Sequence, residues 1–146
     1  MNTFLLFLVM FFGGIAVALQ PSVNGRLAQR IGTLESSSIS FAVGTLALLA
    51  IVLVGGRLGN LRGIADARWW ELTGGFLGAL FVTLTIVIVP RIGTASAMAA
   101  AIAGQLIAGL LLDQFGIFGF RTIALDGKRA FGVALLLIGA GLVFRR

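Results

Sequence analysis

"VALQPSVNGRLAQRIG", residues 17–32, follows an almost unbroken apolar run that begins at Thr3. It places Gln20, Pro21 and Asn24 within two helical turns, and its first basic residue is Arg26. Two readings compete. In one, Pro21 stops a membrane helix and a loop follows. In the other, the helix continues and the first span runs over residues 3–31. Pro21 would then leave the Val17 carbonyl without its usual donor and kink the helix. Gln20 and Asn24, four residues apart, would share one face. The continuous, kinked helix is preferred, because two amides turned inward near a membrane edge resemble the interrupted helices that build transporter sites.

Composition supports a membrane setting. The chain has 146 residues, 59% of them hydrophobic and 11% charged, with a mean hydropathy of +1.10. A soluble domain of this length leaves too much of its surface exposed to hide that apolar content. Apolar stretches of about 18 or more residues are long enough to cross a hydrocarbon core roughly 30 Å thick. Residues 4–12 and "AVA" at 16–18 have some look of a signal peptide, but "MNT" supplies no basic side chain. A retained first helix is expected.

The chain has no Cys and no His. That excludes disulfides, thiolate or imidazole metal sites and the commonest nucleophile–base pairs. No metal, no cofactor and no enzymatic activity is expected. The net charge of +6 comes from basic residues flanking apolar spans, which points to anchoring and orientation rather than to nucleic acid.

The expected architecture is all-α and polytopic, a single transmembrane domain over residues 1–146. Its five spans are expected at about 3–31, 36–55, 72–90, 92–112 and 127–144. Helices are required because an open strand edge cannot be satisfied in lipid. Trp69 and Trp70 stand at the mouth of the third span, where indoles favour the interface. "VPRIG" at 89–93 joins spans three and four with a break tight enough for an antiparallel hairpin. Gly74, Gly75 and Gly78, Gly104 and Ala108, and Gly132 and Gly139 recur at helix-packing spacing, either within the chain or, for span five, against a second copy. The Phe and Ile residues of "DQFGIFGFRTIALDGK", 113–128, are expected at the interface.

Five spans put the termini on opposite sides. One side carries Arg57, Arg62, Arg68, Arg121, Lys128 and Arg129, and the other Arg26, Arg30, Arg91, Arg145 and Arg146. Orientation follows Lys and Arg excess in cytoplasmic loops. A count of six against five gives almost no instruction. Either the first helix or a misplaced span boundary decides a weak signal, or both orientations are made and pair antiparallel, the preferred reading, with the inverted partner supplying the second half of an inverted repeat.

The residues also carry a resemblance. "LQPSVNGRL", "SFAVGTLALL", "WWELTGGFLGALFV", "VPRIG" and "GQLIAGLLLDQFGIFG" occur in this order over nearly the whole chain. The set resembles the YdcZ-like five-helix family, within the drug/metabolite transporter superfamily. The resemblance implies a multi-pass protein of the bacterial inner membrane, acting as half of a ten-helix assembly. It implies no substrate. The small multidrug-resistance exporters are similar only at superfamily level, and their essential first-helix carboxylate has no counterpart here.

Candidate site residues are neutral. Gln105 lies near the centre of span four, and an amide deep in lipid is costly unless it faces protein or water. Thr45 and Thr83 are central in spans two and three, Ser38 lies one heptad before Thr45, and Gln20 and Asn24 complete the set. Each Ser or Thr can instead bond its own helix's carbonyls. Of five acidic residues, only Glu71 and Asp113 lie close enough to reach inward as coupling groups. A cap or an ion pair with a nearby Arg is the more ordinary role for either.

The expected function is export of a small polar or amphipathic solute by alternating access, as an antiparallel dual-topology homodimer. The expected partners are a second copy, the bilayer and that solute. A small dual-topology channel and a scaffold subunit without transport are the alternatives.

Overall fold

The computed structural model describes residues 2–119 and 121–144, and Met1, Phe120, Arg145 and Arg146 lie outside them. The last two belong to the charge count above. Among the described residues the regular structure is helical, and five helices are long and apolar enough to cross a membrane. They are α1 (Thr3–Ile31), α2 (Thr33–Val54), α3 (Gly74–Ile92), α4 (Thr94–Phe115) and α5 (Gly127–Phe144).

Helix α1 continues through Pro21, which is buried, and Asn24 is buried one turn later. Asn2 accepts a hydrogen bond from the Phe4 N–H at 3.2 Å, supplying the N-cap. At 29 residues the helix is about 44 Å long at 1.5 Å per residue, which exceeds the hydrocarbon thickness. A single glycine separates α1 from α2: Gly32, at φ 101°, donates its N–H to the Ala28 carbonyl. That left-handed backbone is open to glycine and strained for other residues. Helix α2 therefore starts at Thr33, three residues ahead of the apolar run, because nothing after Gly32 interrupts it.

The connection between α2 and α3 is ordered into two 3₁₀ segments, Leu58–Asp66 and Trp69–Leu72. Gly93, at φ 84°, stands between α3 and α4. Helix α4 ends on the left-handed Gly116, whose N–H donates to the Leu112 carbonyl. The α4–α5 connection then contains Phe118 at φ 65°. Asp126 receives the Arg129 N–H on its carboxylate at 2.7 Å and opens α5.

The chain forms two compact units, residues 1–91 and 92–146. In the first, residue 24 pairs with 36 while residue 20 shares a groove with 44, 45 and 48, and residue 83 pairs with 37 while 78 meets 41, so α2 runs antiparallel to both α1 and α3. Its interior is unusually polar. Asn24, Ser36, Ser37 and Thr85 are buried beside Val82, Ile86 and Val89, while large apolar side chains face outward along every helix. That inversion suits lipid, where apolar surface carries no penalty and polar groups must find partners inside. Gly78 lets the Phe41 ring approach, since an added Cβ would lie 3.3 Å from it. Gly74, Gly75, Gly104, Gly132 and Gly139 face no such neighbour. Of the glycines expected to pack helices, only Gly78 meets one within its own unit.

The second unit is the antiparallel pair α4 and α5, joined at one end by Asp113 and Arg129 and lined at the other by Ser96 and Phe144.

Candidate functional site

In the first unit, Asn24 is 6% exposed and donates from Nδ2 to Ser40 Oγ at 3.2 Å. Its backbone carbonyl accepts from Ser36 Oγ at 2.8 Å. The α1 amide thus faces α2, as a shared face with Gln20 requires. Gln20 itself is exposed, and lines a groove of about 210 Å³ with Ser40, Phe41, Gly44, Thr45 and Leu48. Gln20 and Thr45 therefore meet in one groove, and Asn24 lies behind Ser40 at its wall.

Thr83 approaches α2 from α3, at Ser37. Its Oγ1 is 2.9 Å from Ser37 Oγ and 2.8 Å from the Ala79 carbonyl. A hydroxyl has one proton, so it satisfies one of these acceptors at a time. Ser37 donates to the Thr33 carbonyl at 3.0 Å, which leaves its oxygen free to accept from Thr83. Ser38 donates to the Leu34 carbonyl at 2.9 Å. Leu34, Ser37, Ser38, Phe41, Ala79 and Thr83 line a second groove of about 500 Å³.

In the second unit, Gln105, Gly109 and Asp113 follow one another at four-residue spacing along α4. They line a groove of about 380 Å³ whose far wall is Arg129, Gly132, Val133 and Leu136. Gln105 is exposed and makes no hydrogen bond among the described residues. Asp113 pairs with Arg129 through Oδ2 and Nη2. Arg129 also donates from Nη1 to the Ile123 carbonyl at 3.0 Å, so it fastens the connection to the end of α4. Two further bonds reinforce that fastening: Ile123 N–H to the Asp113 carbonyl at 2.9 Å, and Leu125 N–H to Gln114 Oε1 at 2.8 Å.

Glu71 is exposed, and accepts from the Arg68 N–H at 2.8 Å as a cap on the second 3₁₀ segment. Both acids thus have structural partners at helix ends.

Sequence reasoning passed over Ser36, Ser40 and Thr85, and gave Arg129 no role beyond its charge. The run "SSSIS" at 36–40 was the available signal, since Ser36 and Ser40 are four apart and share a face. For Arg129 the signal was weaker, a basic residue sixteen positions beyond an acid across a helix pair.

The family model described as "Putative inner membrane exporter, YdcZ" matches residues 5–142. The chain belongs to the YdcZ family. It is 35% identical to the inner membrane protein YdcZ of Escherichia coli (strain K12), over the whole of this chain and 99% of that relative. No solved structure matches the chain. Family membership and five apolar helices make this a multi-pass protein of the bacterial inner membrane. The YdcZ family is an exporter family by description, not an enzyme family.

Proposed function

We propose that the chain exports a small polar or amphipathic solute by alternating access. It acts as one half of a ten-helix, inverted-repeat assembly of the drug/metabolite transporter type, completed by a second copy inserted the other way up. It has no enzymatic chemistry of its own. The observation that carries this reading is Gln105, an amide midway along a 22-residue apolar helix whose side chain is exposed and unbonded. In lipid such a group is costly unless another polar group meets it. A two-fold axis in the membrane plane brings mid-membrane residues of both copies toward each other. Two Gln105 amides facing a solute then satisfy the requirement that one copy leaves open. Gln20 and Thr45 present a second neutral set, and Asn24 and Thr83 hold the helices that carry them. Gly104, Gly132 and Gly139, open on their own unit, offer close approach to the second copy.

The solute is found by a stability screen of purified protein, because a ligand bound only by the folded state raises apparent stability with the logarithm of its concentration. That solute should then show saturable flux with counterflow in proteoliposomes. Unitary currents without counterflow would overturn the exporter reading in favour of a channel.

A further inference from the structure

The groove between α4 and α5 has a polar mouth, an apolar middle and a polar floor. At the mouth, Asp113 and Arg129 are paired yet 37% and 32% exposed at their side chains. Each keeps spare capacity. Asp113 uses Oδ2 on Arg129, and no donor reaches its Oδ1 among the described residues. Arg129 spends Nη1 on the connection and one Nη2 proton on Asp113, while its five N–H groups leave the Nε proton and the second Nη2 proton unspent. Leu106, Leu110, Val133 and Leu136 form the walls below, with Gly109 and Gly132 keeping the channel between the helices open. Gln105 lies eight residues from Asp113 along α4, about 12 Å deeper at 1.5 Å per residue.

We propose that this groove binds the head group and one chain of a zwitterionic amphiphile, with an ammonium on Asp113 Oδ1, an anionic group on the spare Arg129 N–H bonds, and the chain running between the leucines toward Gln105. The inference rests on the reading of Gln105 as a site residue and names the ligand class. A ligand with one net charge is attracted by one member of the ion pair and repelled by the other. A zwitterion lying head to tail against the pair is attracted by both, and the low dielectric beside lipid strengthens that preference. Bidentate recognition of a phosphate or carboxylate by arginine fits the anionic end. Size sets the rest. A volume of about 380 Å³ holds roughly a dozen water-sized groups at about 30 Å³ each, enough for a head group and a short length of one chain.

The test is binding, so it is read whether or not the protein transports. Full-length protein is held in nanodiscs of phosphatidylglycerol and titrated with hexylphosphocholine. The comparison probes are hexyl phosphate, hexyltrimethylammonium and phosphocholine without a chain. Hexylphosphocholine should raise the melting temperature saturably, with an apparent Kd at least tenfold below that of each comparison probe. Asp113→Asn and Arg129→Gln should each weaken it tenfold or more. Val133→Trp fills the groove while leaving the ion pair intact, so it should abolish binding in a folded protein even where the charge variants fold poorly. Adding phosphatidylethanolamine to the nanodisc separates the sources of the head group. Competition with the probe assigns the site to bilayer lipid, its absence assigns the site to a free amphiphile, and either result supports the zwitterionic class. Equal affinity for the singly charged probes, or unchanged binding in Val133→Trp, would overturn the proposal.

Discussion

Ser36 donates its hydroxyl proton to the backbone carbonyl of Asn24 at 2.8 Å, and it is the one fully buried side chain among the described residues. With Asn24 Nδ2 bonded to Ser40, the two contacts tie α1 to α2 one turn past Pro21, where the ladder of α1 has already lost a donor. Ser36→Ala should therefore lower thermal stability, by about 1 kcal/mol for one net hydrogen bond. Ser36→Leu should cost more, about 1–3 kcal/mol, because there is no room for the added volume. Equal melting temperatures for wild type and Ser36→Leu would contradict this role.

The Asp113–Arg129 pair is a partly exposed ion pair, and such pairs contribute at most about 1 kcal/mol. Asp113→Asn should lower the melting temperature slightly. Arg129→Gln should lower it more, because it also removes the donor to the Ile123 carbonyl. Limited proteolysis of residues 121–126 should be faster in Arg129→Gln than in Asp113→Asn. Equal cleavage rates would show that Arg129 does not fasten the connection.

Proton coupling of transport should not depend on an embedded carboxylate. Glu71 caps a 3₁₀ segment and Asp113 is held by Arg129, so neither is left free inside a span. Glu71→Gln should change expression or melting temperature more than it changes proton dependence of flux. A folded Glu71→Gln protein that binds solute but has lost all proton dependence would make Glu71 the coupling residue.

Gln105→Leu keeps the volume roughly and deletes the amide. It should fold and dimerise, and should lose about 1–3 kcal/mol of solute binding if a solute polar group is left unpaired. Lowered thermal stability with unchanged solute affinity would assign Gln105 to helix packing instead.

The helical membrane class was legible because five long apolar runs admit only helices in lipid. Continuation of α1 past Pro21 was legible from Gln20 and Asn24 sharing a face. The polar interior of the first unit was not. Ser and Thr in membrane helices ordinarily bond their own carbonyls, as Ser37, Ser38 and Thr85 do here. The four-residue spacing of Ser36 and Ser40 puts them on one face, but it does not reveal that the acceptor of Ser36 lies on another helix. Phe118 at φ 65° was equally hidden, because "GIFG" offers glycines on either side as easier hosts for that backbone. The candidate amides were visible as residues, whereas Arg129's contacts with Asp113 and with the connection depend on the α4–α5 pairing.

The six-to-five count of basic residues across the two sides underlies the proposed antiparallel pair of identical chains. Its most direct test is the location of reporters fused at the C-terminus, one active only in the cytoplasm and one only in the periplasm. Both reporters should be active on the unmodified chain at comparable levels, and two or three Lys residues added to one side should silence one reporter and lower activity. A chain whose C-terminus is found on one side only, while solute transport is intact and no second protein is required, would contradict the antiparallel homodimer.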